Sequence, residues 1–312
     1  INLKGNRESY IYTVPCVGGH VGADAAAVII SEQPERSALN TLIIDIGTNA
    51  EIILSKNKKL YACSCPTGPA LEGAQISSGQ RAAPGAIERV KIDPFTKEPF
   101  FKVIGSNTWS NEPGFFESIP SSGITGICGS GIIEVVAEMR LSGLLDHNGL
   151  IGSEIQTGSK RCIRDEKTNA FVLYKEKNVK IKITNMDIRA IQLAKAALSA
   201  SIKILMEKSN VSKIDKVVLA GAFGSHISAK HALIIGLVPD IKVDCINSTG
   251  NSAGSGAIIA LLNEKSRTEI SKLVKKIKKI ETAVEASFQD HFVSGSIFPN
   301  SAKLFPELFN LV

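Results

Sequence analysis

The sequence predicts an α/β fold, on three observations. Short β-type runs alternate with helical segments along the chain. Three of these runs, Thr41–Ile46, Ala50–Ser55 and Leu60–Cys65, follow one another through tight turns, as an antiparallel meander does and a β-α-β unit does not. Two later apolar runs, Lys216–Leu219 and Lys242–Ile246, each precede a glycine-containing turn, at Ala220–Gly224 and Gly250–Gly256.

The elements follow in order. Gly22–Ile30 is small and apolar and reads as the first helix. Gly47-Thr48-Asn49 joins the first two strands, and the polar turn Lys56–Lys59 joins the next two. Pro69–Ser78 reads as a helix with proline in its first turn. Pro84–Ser122, rich in Pro, Gly, Ser and aromatics, is a loop-and-strand excursion. A helix over Ser130–Ser142 ends at Gly143. Residues 150–185 mix charge with β runs at Ala170–Tyr174 and Val179–Ile183, as a peripheral insertion for specificity or dimer contacts would. Asp187 caps a helix running to Lys208, with Ile191, Ala194, Leu198, Ile202 and Leu205 on one face. His226–Ile235 is a short helix, and Gly250–Gly256 opens a final core helix through Leu262. Along Lys265–Ile280, Ile270, Leu273, Val274, Ile277 and Ile280 fall at helical spacing, so the lysines clustered over Lys265–Lys279 form a solvated face. The expected division is an opening segment and helix over 1–40, a lobe over 41–265 with insertions at about 84–125 and 150–185, and a C-terminal helix and tail over 266–312 on the same domain.

Composition excludes several classes of function. With 44% hydrophobic and 21% charged residues, the chain is that of an ordinary globular protein. No apolar run approaches the roughly 18 residues of a membrane span, and the opening INLKGNRESY is no signal peptide. A start at Ile1 marks a fragment or a processed product. The net charge of +6 comes largely from the Lys265–Lys279 stretch, and no aromatics interleave there as nucleic-acid stacking requires. The six cysteines form no C-x-x-C pair, so a zinc ribbon or thioredoxin-type site is excluded and reduced thiols in the cytoplasm are expected. Cys63 and Cys65 share one side of a strand and read as two small core residues ahead of one reactive thiol. His20, His226 and His231 are too isolated to read as metal ligands.

Three segments carry candidate chemistry. In Asp45-Ile46-Gly47-Thr48-Asn49-Ala50-Glu51 a carboxylate ends an apolar strand, and a glycine turn leads straight into the next. Turn N–H groups there can converge on phosphate oxygens, and Asp45 can hold a hydrated magnesium ion, since that ion keeps most of its waters. An ordinary hairpin with a turn-capping Asp explains the same residues. In Val217–Gly224 a strand runs into small residues against which a flat base can lie, and in Thr249–Gly256 a helix follows a glycine turn. Neither a Walker G-x-x-x-x-G-K-[ST] nor a G-x-G-x-x-G pattern is present, so a phosphate site would belong to another class. Gly126–Gly131 offers N–H groups at a helix start, for an anion or as a plain cap. Arg81 either contacts phosphates or braces a helix end.

The order of the three segments resembles that of the superfamily of acetate and sugar kinases, heat-shock chaperone ATPases and actin. Asp45–Glu51 resembles its second phosphate loop, Ala220–Gly224 its adenosine motif and Gly250–Gly256 its second connecting segment. Further landmarks are Val21-Gly22-Ala23-Asp24, Gly68-Pro69-Ala70-Leu71-Glu72-Gly73, Arg81–Ile87, Gly126–Gly131, Ala220–Ser225 and Gly250-Asn251-Ser252. Together they resemble the C-terminal domain of the reductive activators of corrinoid enzymes, from about Pro15 to Pro306.

The resemblance implies a ribonuclease-H-like, actin-like ATPase core, of which this chain supplies the second lobe with peripheral insertions. It implies ATP and magnesium as ligands. Phosphates would lie at Gly47, Thr48 and Asn49, magnesium at Asp45 through water, and adenosine at Gly221, Ala222, Phe223 and Gly224. Gly250, Asn251 and Ser252 would complete the nucleotide site, and Glu72 would join Asp45 in catalysis by holding the attacking water. It also implies a cobalt(II) corrinoid protein of a methyltransferase system as partner, a homodimer, and a [2Fe–2S] cluster in the longer family members. The cysteine spacing of such a cluster does not occur here, nor does the family's upstream first phosphate loop. Two other readings remain: the same ATPase serving a dehydratase or acting as a small-molecule kinase, and a non-hydrolytic docking or dimerisation module.

Overall fold

The computed structural model describes residues 10–176, 179–224 and 226–311. β1 (Thr41–Ile46), β2 (Ala50–Lys56) and β3 (Lys59–Cys65) form the expected meander, paired antiparallel in register. Both faces of β1 are apolar, so the sheet needs a layer on each side. Leu42, Ile44 and Ile46 pack into one cluster with Ile52, Leu54, Cys63 and Cys65, whereas Ile43, Ile53 and Ala62 belong to a second on the opposite face. Cys63 and Cys65 are fully buried free thiols, as expected of small core residues. α1 (Ala23–Glu32) supplies the second cluster with an unbroken buried run from Ala25 to Ile30.

Beyond β3 the expected helix over Pro69–Ser78 is only a 3-10 turn, Pro69–Glu72. Gly73 stops it at φ 93°, and a Cβ there would lie 2.7 Å from the Gln80 carbonyl. β4 (Ala86–Ile92), β5 (Pro99–Val103), the short α2 (Phe115–Ser118) and β6 (Gly126–Ile127) make the first excursion, a three-stranded sheet ordered β5-β4-β6. α3 (Gly129–Leu141) follows. Its first turn is packed under β4, with the Ser130 hydroxyl donating to the Glu88 carbonyl (3.1 Å), so the glycine run there is a buried cap. After α4 (Glu154–Thr157), β7 (Cys162–Asp165), β8 (Thr168–Glu176) and β9 (Val179–Thr184) form a separate antiparallel sheet.

α5 (Asn185–Ser209) buries Ile191, Ala194, Leu198, Ile202 and Leu205 on its core face. Its N-cap is Thr184, not Asp187, which takes the third position of a capping box and returns its carboxylate to the Thr184 N–H (2.8 Å). The same carboxylate accepts from the N–H and hydroxyl of Ser77, both at 2.7 Å, which anchors the turns after Gly73.

β10 (Lys216–Ala220) pairs parallel with β1 and leads into the single turn α6 (Gly221–Gly224). α7 (Ala229–Ile235) starts later than expected, capped by Ser228. The strand expected at Lys242–Ile246 is displaced: Val243–Cys245 is a 3-10 turn, and β11 (Ile246–Gly250) follows it. α8 (Ser252–Leu262) packs on α1 through its small residues, since a Cβ on Gly256 would fall 1.8 Å from the Ala27 carbonyl oxygen. It is a core helix on that side only; Ile258, Leu261 and Leu262 are exposed. α9 (Glu264–Leu273) ends early, and the chain enters β12 (Lys278–Lys279), a parallel edge beside β3, so the lysine cluster spans a helix end and a sheet edge. α10 (Phe288–Ser296) and α11 (Pro306–Phe309) close the chain. The main sheet is ordered β11-β10-β1-β2-β3-β12. A meander with two further parallel strands beside its first strand is the ribonuclease-H-like arrangement. No helix among the described residues is long and apolar enough to cross a membrane.

Candidate functional site

The three candidate segments meet at the carboxyl ends of adjacent parallel strands of the main sheet. β1, β10 and β11 are neighbouring parallel strands that end at Ile46, Ala220 and Gly250, and Asp45 pairs with Ala220, which pairs with Gly250. A bulge between Leu219 and Ala220 shifts the register just before these ends. The region beyond the carboxyl ends of parallel strands is where open α/β sheets bind ligands.

Asp45 is opposite Glu51 in the β1–β2 pair, and Glu51 is opposite Ser64 in β3. The Ser64 hydroxyl donates to Glu51 (3.1 Å), whereas among the described residues nothing donates to the Asp45 carboxylate. Burial raises the pKa of Asp45, and the Asp24 charge raises it further. Burial, with Asp24 and Asp45 adding, pushes Glu51 up to about 7 against the Ser64 hydrogen bond. Among the described residues no cation offsets these carboxylates, so ionising them at this end of the sheet is costly. Gly221, at φ 92°, lies against it: a Cβ there would sit 2.6 Å from Asp45 Oδ1 and 3.0 Å from the Ile46 carbonyl. Gly221 thus borders the carboxylate end of the site.

The turn between β1 and β2 is held from below. The Gly47 N–H donates to the Asn49 carbonyl (3.0 Å), and the Thr67 hydroxyl donates to the carbonyls of Gly47 (3.0 Å) and Thr48 (3.1 Å). The Gly68 N–H also donates to the Thr48 carbonyl (2.9 Å). With its carbonyls engaged, the turn leaves the side chains of Thr48 and Asn49 exposed. Glu72 stands beside it, accepting from the Thr48 hydroxyl (3.3 Å), so the 3-10 turn brings this carboxylate to the phosphate-loop candidate.

On the far side, Asn251 caps α8 by accepting from the Gly254 N–H (2.8 Å). Ser252 is buried, joined to Thr249 (2.8 Å) and donating to Glu32 (2.7 Å), so it fixes the start of α8 and does not face outward. Gly224 is buried, and its carbonyl accepts from the Ser248 hydroxyl (2.5 Å). Ala222 and Phe223 lie in α6; their side chains and Ser225 lie outside the described residues. Arg81 is exposed. His231 is neither isolated nor at these strand ends: its Nε2 meets Glu138 (2.9 Å), and Glu134 lies 3.8 Å from its Nδ1.

Glu51 lies within the Asp45–Glu51 motif without a role of its own there, and Ser64 and Thr67 lie outside every motif. A signal for the first was available, since Asp45 and Glu51 are equidistant from Thr48, and a hairpin centred there sets them opposite.

The fold is that of an actin-like ATPase domain, the class shared by acetate and sugar kinases, chaperone ATPases and actin, and hence of a nucleotide-binding domain. More narrowly, the chain belongs to the family of the C-terminal domain of RACo, the ASKHA domain, whose pattern matches residues 39–309. It is 31% identical to the corrinoid activation enzyme RamQ of Eubacterium limosum, over 97% of this chain and 51% of that protein. It is 27% identical to the [Co(II) methylated amine-specific corrinoid protein] reductase of Methanosarcina barkeri, over 86% of this chain and 47% of the relative. Among solved structures, a reductive activator for corrinoid, iron-sulfur protein superposes with a TM-score of 0.82 at 34% identity, covering 96% of this chain and 46% of that one. The chain spans about half the length of the relatives it matches.

Proposed function

We propose that this chain is the ATP-binding part of a protein that reductively reactivates cobalt(II) corrinoid proteins of methyltransferase systems. The observation that carries the reading is the convergence of the Asp45, Gly221 and Gly250 segments at the ends of three adjacent parallel strands, in a chain whose relatives are named as corrinoid activators and reductases. The residues present fit magnesium and nucleotide. Asp45 is a half-buried carboxylate without a hydrogen-bond donor among the described residues, in a negative cluster that a cation would relieve. Among the described residues no group of three or more such ligands converges, so the ion would keep most of its water. The braced turn Gly47–Asn49 would take the phosphates, with Glu72 beside it to orient water, and Gly221–Gly224 with Gly250–Asn251 would take the adenosine.

The cysteines do not fit an iron–sulfur cluster, because only Cys63 and Cys65 share an element, β3, while Cys128 and Cys162 are buried elsewhere and Cys16 and Cys245 stand apart from them in the chain. The reducing electron would come from a cluster held elsewhere. ATP favours one conformation of the activator only by binding it better than the other, and that difference is what would drive an uphill reduction. The resemblance further implies a homodimer working in the cytoplasm, which sedimentation and fractionation test. The central test is calorimetric titration with a non-hydrolysable ATP analogue and magnesium. Saturable, magnesium-dependent binding that Asp45→Asn weakens is expected. Absence of binding, with the corrinoid protein still captured, would make the chain a docking module instead.

A further inference from the structure

A cavity of about 410 Å³ lies between α5 and the C-terminal tail, sharing no lining residue with the Asp45 site. Its walls are mainly apolar, with Ile202, Ile214 and Leu237 on one side and Pro299 and Phe305 from the tail on the other. One charged side chain is buried in the wall, Lys195 of α5, only 2% exposed. Its amine donates to the carbonyls of Gly295 (2.5 Å) and Ile297 (2.9 Å) at the end of α10. A neutral amine has two N–H groups, and these carbonyls engage both. The protonated form has a third, which meets no oxygen or nitrogen acceptor among the described residues; the Phe298 ring centroid stands 5.4 Å from the nitrogen. Two exposed lysines, Lys203 and Lys213, also line the space and so stand at its rim. Its acid, Asp240, is already engaged by the N–H groups of Glu307 and Leu308, both at 3.0 Å.

A tether for the tail would account for the two carbonyl contacts, but not for an apolar cavity with further lysines at its mouth. We propose that this cavity binds a small monocarboxylate with an apolar body. The carboxylate accepts the third N–H of Lys195, the rim lysines add their charge, and the apolar part lies along Ile202, Ile214 and Leu237. A phosphate needs several convergent donors, and the buried end offers one. Burial brings Lys195 down to about 7, and the charge of Lys203 on the same helix acts in the same direction. From the neighbouring elements, Arg140 of α3 donates to the Pro299 carbonyl and Asp240 holds α11; neither hydrogen-bonds the amine. A bound carboxylate stabilises the ammonium, so binding above neutral pH takes up a proton.

The test is calorimetry of the purified protein with octanoate at about pH 8, above the Lys195 value, in two buffers of different ionisation heat, with 1-octanol as the uncharged control. Octanoate is expected to bind about tenfold tighter than octanol, as one charge-assisted hydrogen bond to a buried group allows, and to take up a proton. Lys195→Met should remove that advantage and the proton uptake while leaving octanol binding unchanged. The exposed pair Lys203→Gln and Lys213→Gln should weaken octanoate less. Octanoate binding no better than octanol, or without proton uptake in the wild type, overturns the proposal even if Lys195→Met fails to fold.

Discussion

Asp45 and Glu51 are paired across a hairpin, both half-buried, and both shifted toward the neutral acid, so their cost falls on the empty site. A metal–phosphate clamp acts through charge, so Asp45→Asn should leave melting of the empty protein unchanged or raised, while nucleotide affinity falls at least tenfold in calorimetry. The pH dependence of stability has a defined sign. The folded pKa of Glu51, about 7, lies above its ordinary 4.5, so its contribution is fully present below about 4.5 and lost as pH rises through 7. Denaturant midpoints of the empty protein should therefore fall between these values, and Glu51→Gln should flatten the slope. A slope unchanged in that variant would assign the titration to another group.

Among the elements, the capping box of α5 makes the simplest test. Thr184→Ala should cost about 1 kcal/mol in urea unfolding, since one cap donor loses its acceptor. The α1–α8 contact is less tolerant: a methyl group at Gly256 meets backbone, so Gly256→Ala should cost about 3 kcal/mol, the upper end for overpacking. These elements differ in how well the sequence announced them. β1, β2 and β3 were legible because both their faces are buried and their runs are apolar and punctuated by polar turns. β11 was not, because Asn247, Ser248 and Thr249 are exposed on an outer strand, and the apolar residues just before it drew the assignment upstream. α9 was overextended because Ile277 and Ile280 keep helical spacing while actually leading into and out of an edge strand. The Pro69–Ser78 segment has helical composition, but Gly73 and the distant Asp187 impose a turn. In the site, each motif was visible singly, whereas the pairing of Glu51 with Asp45 and the bracing of the turn by Thr67 depend on strand register and contacts that local pattern leaves unspecified.

Across the whole molecule, stability and function are expected to separate along the main sheet. β1, β2 and β10 lie inside it with their amides paired and both faces covered, while β11 lies at one edge and β12 at the other. Native-state hydrogen exchange reports local opening, so the inner strands should exchange at rates set by global unfolding and the two edges faster. A nucleotide lying from the Gly47–Asn49 turn across to Gly250 and Asn251 touches one edge and not the other. Adding the ATP analogue with magnesium should therefore slow exchange at the turn, at α6 and through β11 into the first turn of α8, and leave β12 and the β7–β9 sheet as they were. Asp45→Asn should abolish the slowing at every one of these segments together, because a single ligand imposes it. Equal protection of β11 and β12 would indicate general stiffening by mass action, without a bound nucleotide at that edge. Protection confined to the edge of the β7–β9 sheet would move the binding surface to the insertion and leave the Asp45 cluster without a ligand.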